Sequence, residues 1–227
     1  MYRDFITDSE IPLHLGKVEQ RWHELRTSEL PQKRAEQVQK MLDHASMERL
    51  LATARNAKTR AQRVIWLQRA ADVLGRAVSA TGAAPCQKGC DSCCHVPVLI
   101  SRAEAEGLAA VSKRKLRSSP VGAIRLDEQL AQAMSGEGRS EEIEATWRHH
   151  VGTPCPFLSG GECSVWGARP LACRYYYSLD NDNLLCRLIE DGQSVEVPKL
   201  NTVANTAVSM LIEGVNQEAA DIRDWFA

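Results

Sequence analysis

Four thiols stand within nine residues of this chain, at Cys86, Cys90, Cys93 and Cys94, in the order C-x3-C-x2-C-C. Thiolates that close together share a metal, pair as disulfides or carry out redox chemistry. The remaining four, Cys155, Cys163, Cys173 and Cys186, follow after sixty residues with none. Cys86-x3-Cys90-x2-Cys93 is the spacing of a compact loop whose sulfurs can converge on one centre. Its backbone amides can also point at sulfur and stabilise negative charge. Gly89 permits the tight turn this requires. Cys93 and Cys94 are neighbours, and neighbouring side chains in an extended segment point to opposite sides. Either one of them ligates while the other is a supporting or redox thiol, or the pair serves two metals.

The second group has its own local chemistry. Cys155-Pro156-Phe157-Leu158 leads into Gly160-Gly161-Glu162-Cys163, a knuckle-like turn closed by cysteine. Cys173 lies inside Arg169-Pro170-Leu171-Ala172-Cys173-Arg174. The two arginines flanking it carry guanidinium groups that could offset the charge of a thiolate-bound centre. Cys186 stands alone and reads equally well as a buried small hydrophobe. His95 reads as a ligand or as a neighbour of ligands, and His149-His150 as a solvated helix end.

The elements that must hold these residues are mostly helices. Ser28 with Pro31 marks one start, and Ser46 another. From about Arg60 to Ser79, residues Val64, Leu67, Ala71, Leu74 and Val78 recur at helical spacing, which makes a core-facing stripe. Thr81-Gly82-Ala83-Ala84-Pro85 ends that helix and delivers the chain to Cys86. Val96, Val98 and Ile100 suit a short extended segment. Ser101 and Glu104 have capping-box spacing at the start of another helix. Weaker helices are expected near Arg125–Met134 and Glu141–His149, and a last one from about Asn201 to Val215. Residues 152–186 are turn-rich. The expectation is a mostly α fold with little β structure: N-terminal helices over residues 1–80, then a loop-rich, cysteine-ligated metal-binding domain over 81–227.

Bulk composition excludes little: 44% hydrophobic, 25% charged and a formal net charge of −1 give no global case for nucleic acid or a lipid surface. Charge is uneven, however. From Pro31 to Ala70 there are nine basic residues against three acidic ones. A solvated helix face accounts for that stretch more readily than contact with RNA, the one partner it suggests. Residues 1–15 have no apolar run behind a positive start, and no stretch approaches about 18 consecutive apolar residues. The expected setting is a reducing cytoplasm, where thiols stay available for metals and disulfides are rare.

The ordered set Cys86-x3-Cys90-x2-Cys93-Cys94, Cys155-Pro-Phe-Leu, Cys163-Ser-Val-Trp and Arg169-Pro-x-x-Cys173-Arg174 resembles the YkgJ-like cysteine-cluster family, over roughly residues 86–175. That family is described as zinc- or iron-chelating, so the resemblance implies that Cys86, Cys90, Cys93, Cys94, Cys155, Cys163 and Cys173 serve a metal. It includes Arg169 and Arg174 in its motif, whereas Trp166 stands where tyrosine is more usual. A similar cluster occurs in the larger flagellin lysine N-methylases, but this chain has no evident room for a separate methyl-donor domain. Cys86-x3-Cys90-x2-Cys93 is also similar to the cluster loop of radical S-adenosylmethionine enzymes. That loop follows the first strand of a barrel, and here about eighty helical residues precede it. Zinc usually pairs two Cys-x2-Cys knuckles, and only Cys90-x2-Cys93 has that spacing. A [4Fe–4S] cluster is therefore favoured, with zinc the alternative. Whether the centre catalyses a reaction or only holds a binding module together is open at the level of sequence.

Overall fold

Thr59 starts the longest helix among the described residues. Its hydroxyl accepts from Gln62 N while the Gln62 side chain accepts from Thr59 N, a reciprocal cap that satisfies two otherwise unpaired amides. The structure is a computed structural model and describes residues 11–84, 86, 89–128, 131, 149–180, 184–186 and 198–226. Before this helix come α1 (Ile11–Thr27), α2 (Leu30–Met41) and α3 (His44–Asn56); the helix itself, α4, spans Arg60–Thr81. The starts of α2 and α3 differ slightly from the sequence expectation. Glu29 is the N-cap of α2, and Ser28 Oγ only accepts from Leu30 N at 3.4 Å. Asp43 caps α3 by accepting from Ser46 N, because its carboxylate reaches the amide that a cap at Ser46 would have left inside the helix.

The expected stripe on α4 is buried at all five positions, Val64, Leu67, Ala71, Leu74 and Val78. Leu67, Ala71, Leu74 and Val78 share a core with Val38 of α2 and with Met47 and Ala54 of α3. The same core continues across residue 80 into the second half of the chain, through Leu171 and Tyr175 of α6 (Leu171–Tyr175) and Ile212 of α7 (Val203–Glu213). Arg34, Arg60 and Arg63, from the basic stretch, donate to main-chain carbonyls of Leu179, Asn216 and Ala57.

Gly82, at φ +60°, ends α4 in the left-handed conformation that glycine adopts without strain. Beyond the first cysteine loop, β1 (Leu99–Ser101) runs into α5 (Arg102–Ser112) through the expected Ser101–Glu104 capping box. β1 and β2 (Ile124–Arg125) both pair antiparallel with β5 (Glu218–Asp221), which is central in a three-stranded sheet. β3 (Leu158–Ser159) and β4 (Glu162–Cys163) form a separate hairpin. The last helical turn, α8 (Ile222–Trp225), places a fully buried Trp225 whose Nε1 donates to Ile100 O at 3.2 Å. Around it lie Val98, Ile100, Phe157, Val165 and Phe226, a second core. The architecture is mostly α, as the sequence suggests, with the cysteines in the loop-rich part. The helices expected near Arg125–Met134 and Glu141–His149 fall largely outside the described residues. Among the described residues, no helix is long and apolar enough to cross a membrane.

Two carboxyls are buried where α5, α6 and α7 meet. Glu104 accepts from Leu171 N at 2.7 Å and from Ser101 N at 3.1 Å, and so fixes the start of α6. Glu213 accepts from Ser101 Oγ and from Gln217 Nε2 at 3.0 Å. Burial raises the pKa of both, that of Glu213 to about 8, with Glu104 adding repulsion and Arg60 opposing it. Glu104 has two backbone donors and Arg174 nearby, so it carries the charge better, and the proton settles on Glu213. The folded state then holds a proton that the unfolded chain has released, over the window from the ordinary carboxylate range to about 8. Stability must fall as pH rises through that window. Urea denaturation across the same window should show a steeper loss for the wild-type chain than for Glu213→Gln; equal slopes would mean that Glu213 is already ionised.

Candidate metal centre

Three stretches of chain bring the cysteines together. The first leaves α4 at Gly82, passes Cys86, turns at Gly89 with φ +90° and reaches Cys90. Ser92–His95 then form a 3-10 turn, so Cys93 and Cys94 do not sit in the extended backbone expected from sequence. At three residues per turn, their side chains leave the backbone about 120° apart. The second stretch carries Cys155 and, after the Gly160-Gly161 turn, Cys163 on β4. The third carries Cys173 on α6, and Cys186 ends a 3-10 turn at Leu184–Cys186.

Hydrogen bonds lock the first two stretches in register. Cys155 N donates to Cys94 O at 2.8 Å and Gly152 N to His95 O at 2.8 Å. Arg223 from α8 acts as a staple between them. Its Nη2 donates to Cys94 O and Val96 O at 2.9 and 3.2 Å, and its Nε to Thr153 O at 2.8 Å. Asp221 holds the guanidinium through Nη1 at 3.0 Å and also accepts from Val98 N at 2.6 Å. His150 is not a solvated helix end: it is buried and meets Asp224 at 2.9 Å, because the second loop folds under α8. His149 is exposed, as a helix end would be.

All eight cysteines line one cavity of about 640 Å³. None is in a disulfide. The seven cysteines expected from sequence are joined there by Cys186, whose isolation in the chain gave no spacing signal. Opposite them, α4 contributes Asp72, Gly75, Arg76 and Ser79, and Trp166, Tyr176 and Tyr177 add an aromatic wall. A Cβ at Gly75 would lie 2.7 Å from Tyr177 Oη, so only glycine lets that ring stand against α4.

Donors are aimed at several sulfurs. The amide of Ser178 serves Cys86, its hydroxyl serves Cys186, and the amide of Phe157 serves Cys155. Burial nevertheless dominates. It pushes the Cys86 and Cys155 thiols up to about 11 and Cys186 to about 12, and it raises Cys173 well above its ordinary value. Cys93 is raised well above its ordinary value by its contact with the Cys94 thiol, and by burial after that. Such sulfurs stay protonated unless a cation takes the proton's place. Arg169 lines the cavity, opposes the rise at Cys86, Cys93 and Cys173, and lies 3.4 Å over the Trp166 ring. Arg174 does different work. It is buried, pairs with Asp72 and donates to Gly167 O and Arg169 O at 2.6 and 2.7 Å, which fastens the Cys173 segment to α4.

Free thiols converging on one chamber, with amide donors aimed at sulfur, are the donor set of a thiophilic metal. Among the described residues, no three His, Cys, Asp or Glu side chains close on a single point as one ion would require. The sulfurs surround a common space.

Residues 85–190 match the CxxCxxCC family model, described as "Putative zinc- or iron-chelating domain". Over that segment the chain is similar to that family. No curated protein and no solved structure matches the chain. The chamber extends beyond the matched segment, since the α4 wall, Ile222 and the Arg223 staple all lie outside it.

Removing one partner of a buried, hydrogen-bonded ion pair costs about 3–5 kcal/mol, against less than about 1 kcal/mol for an exposed pair. Arg223→Leu should therefore lower unfolding free energy by an amount in the first range. Lys33→Ala, which breaks the exposed pair with Glu29, should barely register. Urea melts of both variants would show it, and equal small losses would remove the staple from this account.

Proposed function

We propose that the CxxCxxCC-like segment binds a thiolate-ligated metal centre, a [4Fe–4S] cluster in preference to zinc, and uses it in redox or group-transfer chemistry. The observation that carries the reading is the single chamber of about 640 Å³ onto which every cysteine of the chain faces. A zinc site gathers four ligands around one ion with Zn–S near 2.3 Å, roughly the size of a side chain's end. The chamber is far larger than that. Ligands would be drawn from Cys86, Cys90, Cys93, Cys94, Cys155, Cys163 and Cys173. Arg169 would offset the charge at the sulfurs directly, and Arg174 would do so by holding the Cys173 segment in place. A bound cluster would supply a reversible one-electron couple or an iron site for group transfer. The chain's own residues keep the sulfurs in a low-dielectric setting behind Phe157, Val165 and Ile222. Arg76, Trp166 and Tyr176 form the rest of the wall, where a reactant could stand.

The second reading is a zinc-stabilised interaction module without catalysis. It is favoured by one feature: β3 and β4 are two residues each, and loops that short gain most from a metal. Anaerobic purification with metal, sulfide and absorption analysis separates the two. Brown protein with iron and labile sulfide, bleached by dithionite, is the expected outcome. Colourless protein holding stoichiometric zinc would overturn the iron–sulfur reading and turn attention to the helical surface.

A further inference from the structure

We propose that α1 is a metal-responsive arm: occupation of the chamber seats it on the body of the chain, and loss of the metal frees it. The proposal rests on the reading that the cysteine cluster binds metal at all, and it concerns what bound metal does to the first helix.

The seat of α1 is small and lies directly behind a chamber thiol. Val18 and Leu25 bury their side chains on Leu185, with Trp22, Leu184 and Cys186 packed against them. Among the described residues, α1 adds nothing to the core that joins α2, α3, α4, α6 and α7, nor to the one around Trp225. Cys186 also lines the chamber, and no other described side chain belongs both to that apolar cluster and to the chamber wall.

A polar link runs beside the apolar one. Arg21 of α1 pairs with Asp180 through Nη2 at 2.7 Å and Nε at 2.8 Å. Asp180 is fully buried, and its amide donates to Ser178 Oγ at 3.2 Å. Ser178 is in turn the residue whose hydroxyl serves Cys186. Arg34 of α2 donates to the carbonyls of Leu179 and Asp180, which ties this short segment to the helical body.

The hold on a helix of 17 residues thus centres on one turn and one ion pair. A helix of that length keeps its form in water mainly through its packed face. The turn that meets this face, Leu184–Cys186, is three residues long, and a single 3-10 turn has few hydrogen bonds of its own to fix it. A metal bound at the Cys186 sulfur would fix it from the chamber side, and Leu185 with it. Linkage is reciprocal, so whatever the metal contributes to seating α1, seated α1 contributes to holding the metal.

Hydrogen exchange read by mass spectrometry tests this on the full chain. Protein purified anaerobically with its metal would be compared with the same protein stripped by a chelator under reducing conditions, with metal content measured on both. Amides of residues 18–27 should exchange about tenfold faster after stripping, while those of α3, seated on the α4 core, hold their rate. Equal rates in α1 with and without metal would overturn the proposal. So would equal acceleration in α1 and α3, which would make the metal a support of the whole fold. Cys186→Ser should keep metal on the other thiols yet lose the metal-dependent protection of α1, and protection that survives this change also counts against the arm. Should that variant fail to fold or to hold metal, Arg21→Ala decides: its metal affinity in competition with a chelator should fall about fivefold, and an unchanged affinity would reject the coupling. A wild-type chain that carries no metal would instead sink the metal-binding reading itself, and the arm with it.

Discussion

The cysteine chamber depends on one buried charge. Arg223 and Asp221 lie almost entirely out of water. Desolvating a guanidinium and a carboxylate is expensive, and their mutual attraction alone seldom repays it. Here the remaining donors and acceptors are spent on the backbone of the two cysteine loops: carbonyls at Cys94, Val96 and Thr153, and the amide of Val98. A pair satisfied in that way is costly to disrupt. It also holds together loops whose own elements are too short to fix their positions.

A second charge plays the corresponding part on the opposite wall. Arg174 joins Asp72 of α4 to carbonyls at Gly167 and Arg169, and Glu104 receives the first amide of the helix that carries Cys173. The third cysteine stretch is thus anchored to the helical half of the chain, while the first two are anchored to its C-terminal turn. The helices of residues 11–81 are part of the chamber's construction, through the shared core and through Asp72, Gly75 and Arg76. This explains how a segment of short turns can hold eight sulfurs around one chamber, five of them (Cys86, Cys93, Cys155, Cys173 and Cys186) with raised pKa values. Rigid elements on both sides bear the load, and the protons on the sulfurs wait for a cation to replace them.

Much of this was legible in the chain. The α4 stripe, the Ser101–Glu104 cap, the Gly82 stop and the metal-chelating character of the cysteine cluster follow from local spacing, because each rests on residues within a few positions of one another. Contacts between distant segments were not legible. Cys186 carries no spacing signal, and its place in the chamber comes from Ser178 and from packing beside α1. The same is true of Arg223, which lies 129 positions from the Cys94 carbonyl it holds. Its only trace in the sequence is a dense run of charge and aromatic residues at Asp221-Ile222-Arg223-Asp224-Trp225.

By itself the sequence determined which atoms could bind metal and the helices with a clear stripe or cap, such as Arg60–Thr81 and Arg102–Ser112, since both are matters of residue type and short-range period. Tertiary structure decided how the sulfurs are brought together. The 3-10 turn at Ser92–His95, in place of the extended segment considered from sequence, sets the directions of Cys93 and Cys94. Its conformation is fixed by hydrogen bonds to the second loop and to Arg223, partners that no local pattern around the cysteines could reveal.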